Sequence, residues 1–206
     1  MKKSFAFLLL VSMLLMSSFT YAQNAFSDVD ANHWAVNYVY GMYQLKVING
    51  YADGTFKPNN KLKTGEFIKM LSMAMWPTYE YSKPEEGVHW AMPYVKTLDR
   101  IILVADNYNA EKLESIITRE EAAKLICLFH VNYFAENNEK VLTRDEKYIK
   151  SMKDEAQITN KDSRMYIDNC MKFGLINGFE DGTFRPQDGL SRAQAAKVLY
   201  TAMFNQ

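Results

Sequence analysis

The stretch 178–203, "GFEDGTFRPQDGLSRAQAAKVLYTAM", decides the fold, because residues 50–75, "GYADGTFKPNNKLKTGEFIKMLSMAM", repeat it without a gap. At a constant offset of 128, Ile48-Asn49-Gly50 pairs with Ile176-Asn177-Gly178, and Asp53-Gly54-Thr55-Phe56 with Asp181-Gly182-Thr183-Phe184. Pro58, Leu62 and Lys69 pair in the same way with Pro186, Leu190 and Lys197. Internal similarity of this length marks repeat architecture. A third copy lies between the two: "HWAMPYV" (89–95) echoes "HWAVNYV" (33–39), and "ITREEAAKLI" (117–126) echoes "LSRAQAAKVL" (190–199). This places repeat units at 26–75, 81–130 and 152–204, with a charged linker at 131–151 that carries an extra short helix opened by Thr143.

Each unit reads as helix, loop, helix. Tyr38, Val39 and Met42 fall on one face of a first helix, predicted from about Trp34 to Gln44. Tyr94, Val95 and Leu98, then Tyr166, Ile167 and Cys170, repeat that face. A loop rich in Gly, Asp and Pro follows, and then a second helix with a legible start. Thr118-Arg119-Glu120-Glu121 and Ser191-Arg192-Ala193-Gln194 are capping boxes, in which Thr118 or Ser191 accepts from the third amide and Glu121 or Gln194 reaches back. Behind the box, Ala122, Leu125, Ile126 and Phe129 recur at helical spacing. A unit this small cannot bury its apolar face alone, so three must pack around a shared axis. The expected fold class is all-α.

The N-terminus addresses location. Lys2 and Lys3 precede an apolar run from Phe5 to Met16, and Thr20 and Ala22 suit cleavage after Ala22, the pattern of a bacterial secretory signal peptide at 1–22. An uncleaved anchor is the competing reading, disfavoured by the shortness of the run. With those lysines removed, 22 basic groups face 24 acidic ones, a balance that argues against nucleic acid or a polybasic membrane contact. No transmembrane segment is expected after cleavage. Cys127 and Cys170 both fall in apolar helical stretches, where two buried thiols are expected in preference to a disulfide.

Phe26-x-Asp28, His33-Trp34-Ala35, "INGYADGTFKP" and the threonine-arginine box together resemble the surface-layer homology (SLH) module, across essentially the whole chain beyond residue 22. The resemblance implies a three-pronged, pseudo-threefold helical spindle. It also implies a secreted protein held non-covalently at the bacterial cell wall or S-layer by a cell-wall polysaccharide. That polymer is typically a pyruvylated secondary polysaccharide, or in some bacteria a peptidoglycan-linked glycan.

Arg119 and Arg192 open their helices, beside amides without helical partners and the positive end of the dipole. A planar cation there can grip a carboxylate with two prongs, and a pyruvate ketal supplies one. The plainer alternative is a solvated arginine or one paired with a nearby Glu. Trp34 and Trp90 are candidates for stacking on a sugar, against a packing role. Gly50 and Gly178 are candidates for close backbone approach to the ligand, and Asp28, Asp154 and Lys63 complete the expected glycan-binding set. Asp53, Gly54, Phe56, Asp181, Gly182 and Phe184 are expected to shape the loops: glycine for the turn, aspartate for its own backbone, phenylalanine as a core plug.

No metal, cofactor or catalytic set is expected. Asp28-x-Asp30-x-Asn32 opens like a calcium loop, but His33 stands where the turn glycine belongs and Val39 where the closing Glu does. His33 and His89 recur at matching places, which favours a helix-start role. The repeats leave no stretch for a catalytic domain. Three departures mark the pattern. Unit one has Thr64 at the arginine position, unit two has "LVADNYNAEKLES" in place of the Asp-Gly-Thr-Phe loop, and unit three has Asp162 in place of tryptophan. One competent groove, or two, is therefore expected. The alternative function is a protein–protein adaptor on an SLH scaffold with degenerate grooves.

Overall fold

Apolar residues three and four apart drive the helices, and the computed structural model describes residues 25–102, 108–133 and 142–204. The signal peptide expected at 1–22, part of the unit-two loop (103–107) and part of the linker (134–141) lie outside the described residues. Seven α-helices occur among the described residues, in chain order: α1 (Val36–Gln44), α2 (Thr64–Met75), α3 (Met92–Ile102), α4 (Ala110–Glu114), α5 (Arg119–Tyr133), α6 (Ser163–Lys172) and α7 (Arg192–Phe204). The protein is mainly helical, with isolated β-bridges and no named strand among the described residues. Val39, Met42, Val95, Leu98, Ile167 and Cys170 are fully buried, as are Ala122, Leu125, Ile126 and Phe129 of α5.

Three central helices, α2, α5 and α7, meet around one axis. Leu62, Ile117 and Leu190 each lie two residues ahead of a central helix, and their backbones close a ring. Leu62 N donates to Leu190 O at 3.0 Å, Leu190 N to Ile117 O at 3.1 Å, and Ile117 N to Leu62 O at 3.0 Å. All three side chains are wholly buried inside it. Burying each such aliphatic group is worth about 1.5–3 kcal/mol, and the ring satisfies backbone groups that would otherwise be orphaned there.

The outer helices are exchanged between units. α3 packs on α2, α6 on α5, and α1 on α7. Each prong thus joins the second helix of one unit to the first helix of the next, and the last prong joins the two ends of the chain. A repeat that cannot bury its own apolar face is covered by its neighbour.

The linker departs from the expectation. Its described part carries a 3₁₀ turn at Ile149–Ser151 and no helix opened by Thr143. Thr143 N instead donates to Asn169 Oδ1 at 2.9 Å, and Asp168 Oδ1 accepts from Tyr148 N and Ile149 N at 2.7 and 3.0 Å. Two buried polar residues of α6 therefore take up the backbone donors that a helix would have used. A second tie comes from Glu120, whose carboxylate accepts from Thr159 N, Asn160 N and the Gln187 amide. Cys127 and Cys170 are buried free thiols, and Cys170 Sγ donates to Ala123 O at 3.1 Å. Burial raises the Cys170 pKa well above the usual thiol value.

Candidate functional site

Both complete loops are built alike. Asp53 Oδ1 accepts from Thr55 N at 3.0 Å and Thr55 Oγ1 at 2.6 Å, and Asp181 does the same with Thr183 at 2.9 and 2.6 Å. These bonds lower the pKa of Asp53 to about 2 and depress that of Asp181 further still. Gly54 and Gly182 take φ of 78° and 83°, where a side chain is strained, and Phe56 and Phe184 plug the core.

Asp28 and Asp154, expected in the glycan-binding set, turn to the backbone of the loops. Asp28 accepts from Phe56 N and Lys57 N at 2.7 and 2.8 Å, and Asp154 from Phe184 N and Arg185 N at 2.8 and 2.7 Å. Lys57 and Arg185 hold φ of 58° and 57°, left-handed values that a non-glycine residue keeps only when its surroundings insist. The carboxylates clamp the loop there, and they line neither of the hollows described below.

The arginines cross between units. Arg119 of unit two reaches the unit-three loop, where Nε donates to Phe184 O at 2.8 Å and Nη2 to Asn177 O at 3.0 Å. Arg192 of unit three reaches the unit-one loop, with Nε to Phe56 O at 2.7 Å and Nη2 to Asn49 O at 2.9 Å. Each guanidinium also stands over two rings, Phe179 and Phe184 for Arg119, Tyr51 and Phe56 for Arg192. Neither forms an ion pair among the described residues. Burial lowers the Arg119 pKa to about 10, which leaves it charged at neutral pH.

One expectation is overturned. The first helix amides are not available to a ligand, because Arg119 N and Glu120 N donate to Asp188 O and Pro186 O, while Arg192 N and Ala193 N donate to Asn60 O and Pro58 O. Neighbouring loops cap the helices, so any anion must be met by side chains. Ser191 and Gln194 form the full capping box, at 3.2 and 2.9 Å. Thr118 Oγ1 accepts from Glu121 N at 3.2 Å, but the Glu121 carboxylate turns away to pair with Lys112.

Two open hollows of similar size, about 190 and 200 Å³, lie beside the two arginines. The first takes Arg192 from unit three, Asn49 from the unit-one loop, Glu66 and Lys69 from α2, and Trp90 from unit two. The second takes Arg119 from unit two, Asn177 and Gly178 from the unit-three loop, Gln194 and Lys197 from α7, and Trp34 from unit one. Each hollow is thus assembled from all three units. Trp34 and Trp90 are 54% and 39% exposed, well above a packing residue, so an indole face is open at each rim. His33 and His89 set the tryptophans by accepting on Nδ1 from Ala35 N and Ala91 N, at 3.1 and 3.2 Å. Gly178 lines its hollow, with the Thr183 carbonyl 2.9 Å from where a Cβ would sit; the space beside Gly50 is taken by the Phe26 ring and the Thr55 carbonyl, at 2.2 and 2.9 Å.

The same rule of assembly locates a third position, and all three departures in the sequence converge on it. There the arginine place is Thr64, the loop belongs to unit two, and the tryptophan place is Asp162. Thr64 N and Oγ1 both donate to Ser115 O, and α4 occupies the described part of that loop. Lys63 does not line either hollow: it pairs with Glu114, which also meets His89 Nε2 at 2.7 Å. Those contacts hold the Glu114 carboxyl down at about 2 and raise the Lys63 ammonium. The sequence reading missed Asn49, Asn177, Glu66, Lys69 and Lys197 as lining residues; the recurrence of Asn49 as Asn177 and of Lys69 as Lys197 at the offset of 128 was the available signal, and Glu66, replaced by Gln194, carried none.

Comparison with known proteins agrees with this construction. The family model described as S-layer homology domain matches residues 25–68 and 158–196. The chain is similar to an amylopullulanase of Thermoanaerobacterium thermosulfurigenes, 26% identical over 85% of this chain and 9% of that protein. It is also similar to an endoglucanase of Bacillus sp. strain KSM-635, 24% identical over 98% of this chain and 22% of the enzyme. A cell surface protein of Thermoanaerobacter kivui is 30% identical over 31% of this chain and 9% of its own length. The chain thus spans less than a quarter of these curated relatives. With a threefold ring of repeats, loops stapled by the arginine of the neighbouring unit, and family matches at both complete loops, the chain carries S-layer homology domain segments at residues 25–68 and 158–196.

Proposed function

We propose that the chain is a non-catalytic anchoring module that attaches to the bacterial cell wall by holding an acidic wall polysaccharide in the two hollows. The observation that carries this reading is the joint presence, in each hollow, of a guanidinium, a lysine, a loop carbonyl and an open tryptophan face. Two guanidinium nitrogens are fixed on carbonyls, so the charge is held in place before a ligand arrives and little side-chain entropy remains to be lost. A carboxylate on a sugar ring would meet the cations, and the ring itself would lie on the indole. Each hollow is the size of one sugar ring, not of a long chain, so affinity for polymer arises from engaging both at once. A pyruvate ketal is the acidic group that fits this chemistry.

The similarity to an amylopullulanase and an endoglucanase supports anchoring, since it covers only a small share of each enzyme. Among the described residues no cluster of three or more His, Cys, Asp or Glu is placed to hold a metal, and no helix is long and apolar enough to cross a membrane. The adaptor reading draws support only from the eroded third position, while two hollows keep the full set of groups.

Cosedimentation tests the proposal. Purified protein would be spun with wall sacculi before and after acid stripping of secondary polymer, with and without a pyruvylated sugar as competitor. Binding lost on stripping and on competition is expected. Equal sedimentation with stripped and intact sacculi, unaffected by competitor, refutes the acidic polymer; no sedimentation with either preparation refutes wall anchoring.

A further inference from the structure

The two hollows share a plan and differ in charge. In each, the third residue of the central helix reaches back to the helix start: Glu66 Oε2 accepts from Lys63 N at 2.9 Å, and Gln194 Oε1 accepts from Ser191 N at 2.9 Å. One oxygen does the same work in both. A glutamine suffices for that bond, so the cap does not require a charge at position 66. What remains differs. Glu66 brings a carboxylate charge to the wall of the first hollow, and Gln194 brings an amide with two N–H donors to the second. Both side chains are half-buried, and no cation lies within ion-pair distance of Glu66 among the described residues.

The lysines one turn on, Lys69 and Lys197, occupy matching places. The lining of the first hollow therefore holds two cations and one anion, and that of the second two cations and no anion, with Asp188, Asp154 and Arg185 acting on Arg119, and Lys63 on Glu66, from outside the lining. Arg192, Lys69 and Glu66 set a weak positive field; Arg119 and Lys197 set a strong one. Over the width of a sugar ring, one unit of charge changes the affinity for a carboxylate about 3- to 10-fold at low salt, and much less once salt screens it.

We propose that the residue at 66 and 194 sets the selectivity of each hollow, so that the Arg119 hollow takes the acidic sugar and the Arg192 hollow takes a neutral ring of the same polymer. This rests on the glycan-binding reading above. It assigns different jobs to two sites that the repeat pattern alone would make equal, and it sets a ligand with a neutral sugar near each acidic one.

The test uses variants that leave one hollow intact. Trp34→Ala removes the open ring of the Arg119 hollow, and Trp90→Ala that of the Arg192 hollow. Each is titrated by calorimetry, at low salt, with the 4,6-pyruvate ketal of an N-acetylhexosamine and with its uncharged methyl ester. The Trp90→Ala protein is expected to prefer acid over ester about tenfold, and the Trp34→Ala protein about threefold or less. Adding Glu66→Gln to Trp34→Ala raises its acid-to-ester ratio about 3- to 10-fold with the ester affinity unchanged, and Gln194→Glu in the Trp90→Ala protein lowers the ratio by a like factor. Because both sugars are measured on one sample, partial unfolding cancels from the ratio. Equal ratios in the two single-hollow proteins, or a ratio that Glu66→Gln does not move, overturn the division of labour while leaving glycan binding intact. Failure of the unsubstituted protein to bind either sugar overturns both.

Discussion

Truncating Arg119 to Ala is the sharpest perturbation of the stapled architecture. Arg119 is 5% exposed, and its Nε holds the carbonyl of Phe184, a residue with no exposed surface. Removing the guanidinium leaves that carbonyl inside the protein without a partner, at about 1–3 kcal/mol. The stacking over Phe179 and Phe184, at 4.8 and 4.7 Å, goes with it. Each such contact contributes about 0.5–1 kcal/mol. The sum is about 2–5 kcal/mol, reduced somewhat because the buried cation no longer has to be desolvated. Arg192 makes the matching bonds but is half-exposed, so water can replace them, and Arg192→Ala is expected to cost about 1–2 kcal/mol. Urea unfolding followed by tryptophan fluorescence gives both values. Arg119→Lys, a cation without the fork, recovers no more than part of the loss. An Arg119→Ala protein within about 0.5 kcal/mol of the unsubstituted one, or a costlier Arg192→Ala, would show that the arginine does not staple its neighbour's loop.

Three other outcomes are expected. Asp154→Ala strips the acceptor from the Phe184 and Arg185 amides and should lower stability by about 2–4 kcal/mol in urea, more than Asp28→Ala, whose site is exposed; equal and negligible losses would deny the clamp. The Glu114 and Asp53 carboxyls sit at about 2 in the folded protein, below their usual 4.5 and 3.8. Their stabilisation is therefore complete above the ordinary values and disappears as pH falls from about 4.5 towards 2, so Glu114→Gln with Asp53→Asn should flatten Tm against pH in that window. An unchanged slope would contradict the assignment. Cys127 and Cys170 should react with a thiol reagent only after unfolding, because both are fully buried; rapid labelling of the native protein would contradict their placement.

The helices, their buried faces and the Asp-Gly-Thr-Phe turns were legible in the sequence because each depends on residues a few positions apart. The pairing of units was not. Val39 and Met42 announce that α1 buries a face, but nothing local says that α7, at the other end of the chain, covers it. For the same reason the departures at Thr64, in the unit-two loop and at Asp162 looked like separate damage to three units. In space they belong to one position, where the loss of any partner removes the use of the others. The sequence places Arg119 and Arg192 at helix starts, but the amides expected to stand free beside them are occupied by neighbouring loops. Asp28 and Asp154 clamp the loop backbone, which the sequence alone does not show because a carboxylate beside a binding loop and one inside its hinge look identical along the chain; the left-handed backbone at Lys57 and Arg185 explains why the hinge needs them.

Calorimetric titration of the protein with purified wall polysaccharide tests the central claim most directly. Two classes of site are predicted, one removed by Trp34→Ala and the other by Trp90→Ala, each through the loss of about 2 kcal/mol of ring contact, roughly thirtyfold in affinity. Polysaccharide bound by the double variant as tightly as by the unsubstituted protein would contradict the claim that these two hollows hold it.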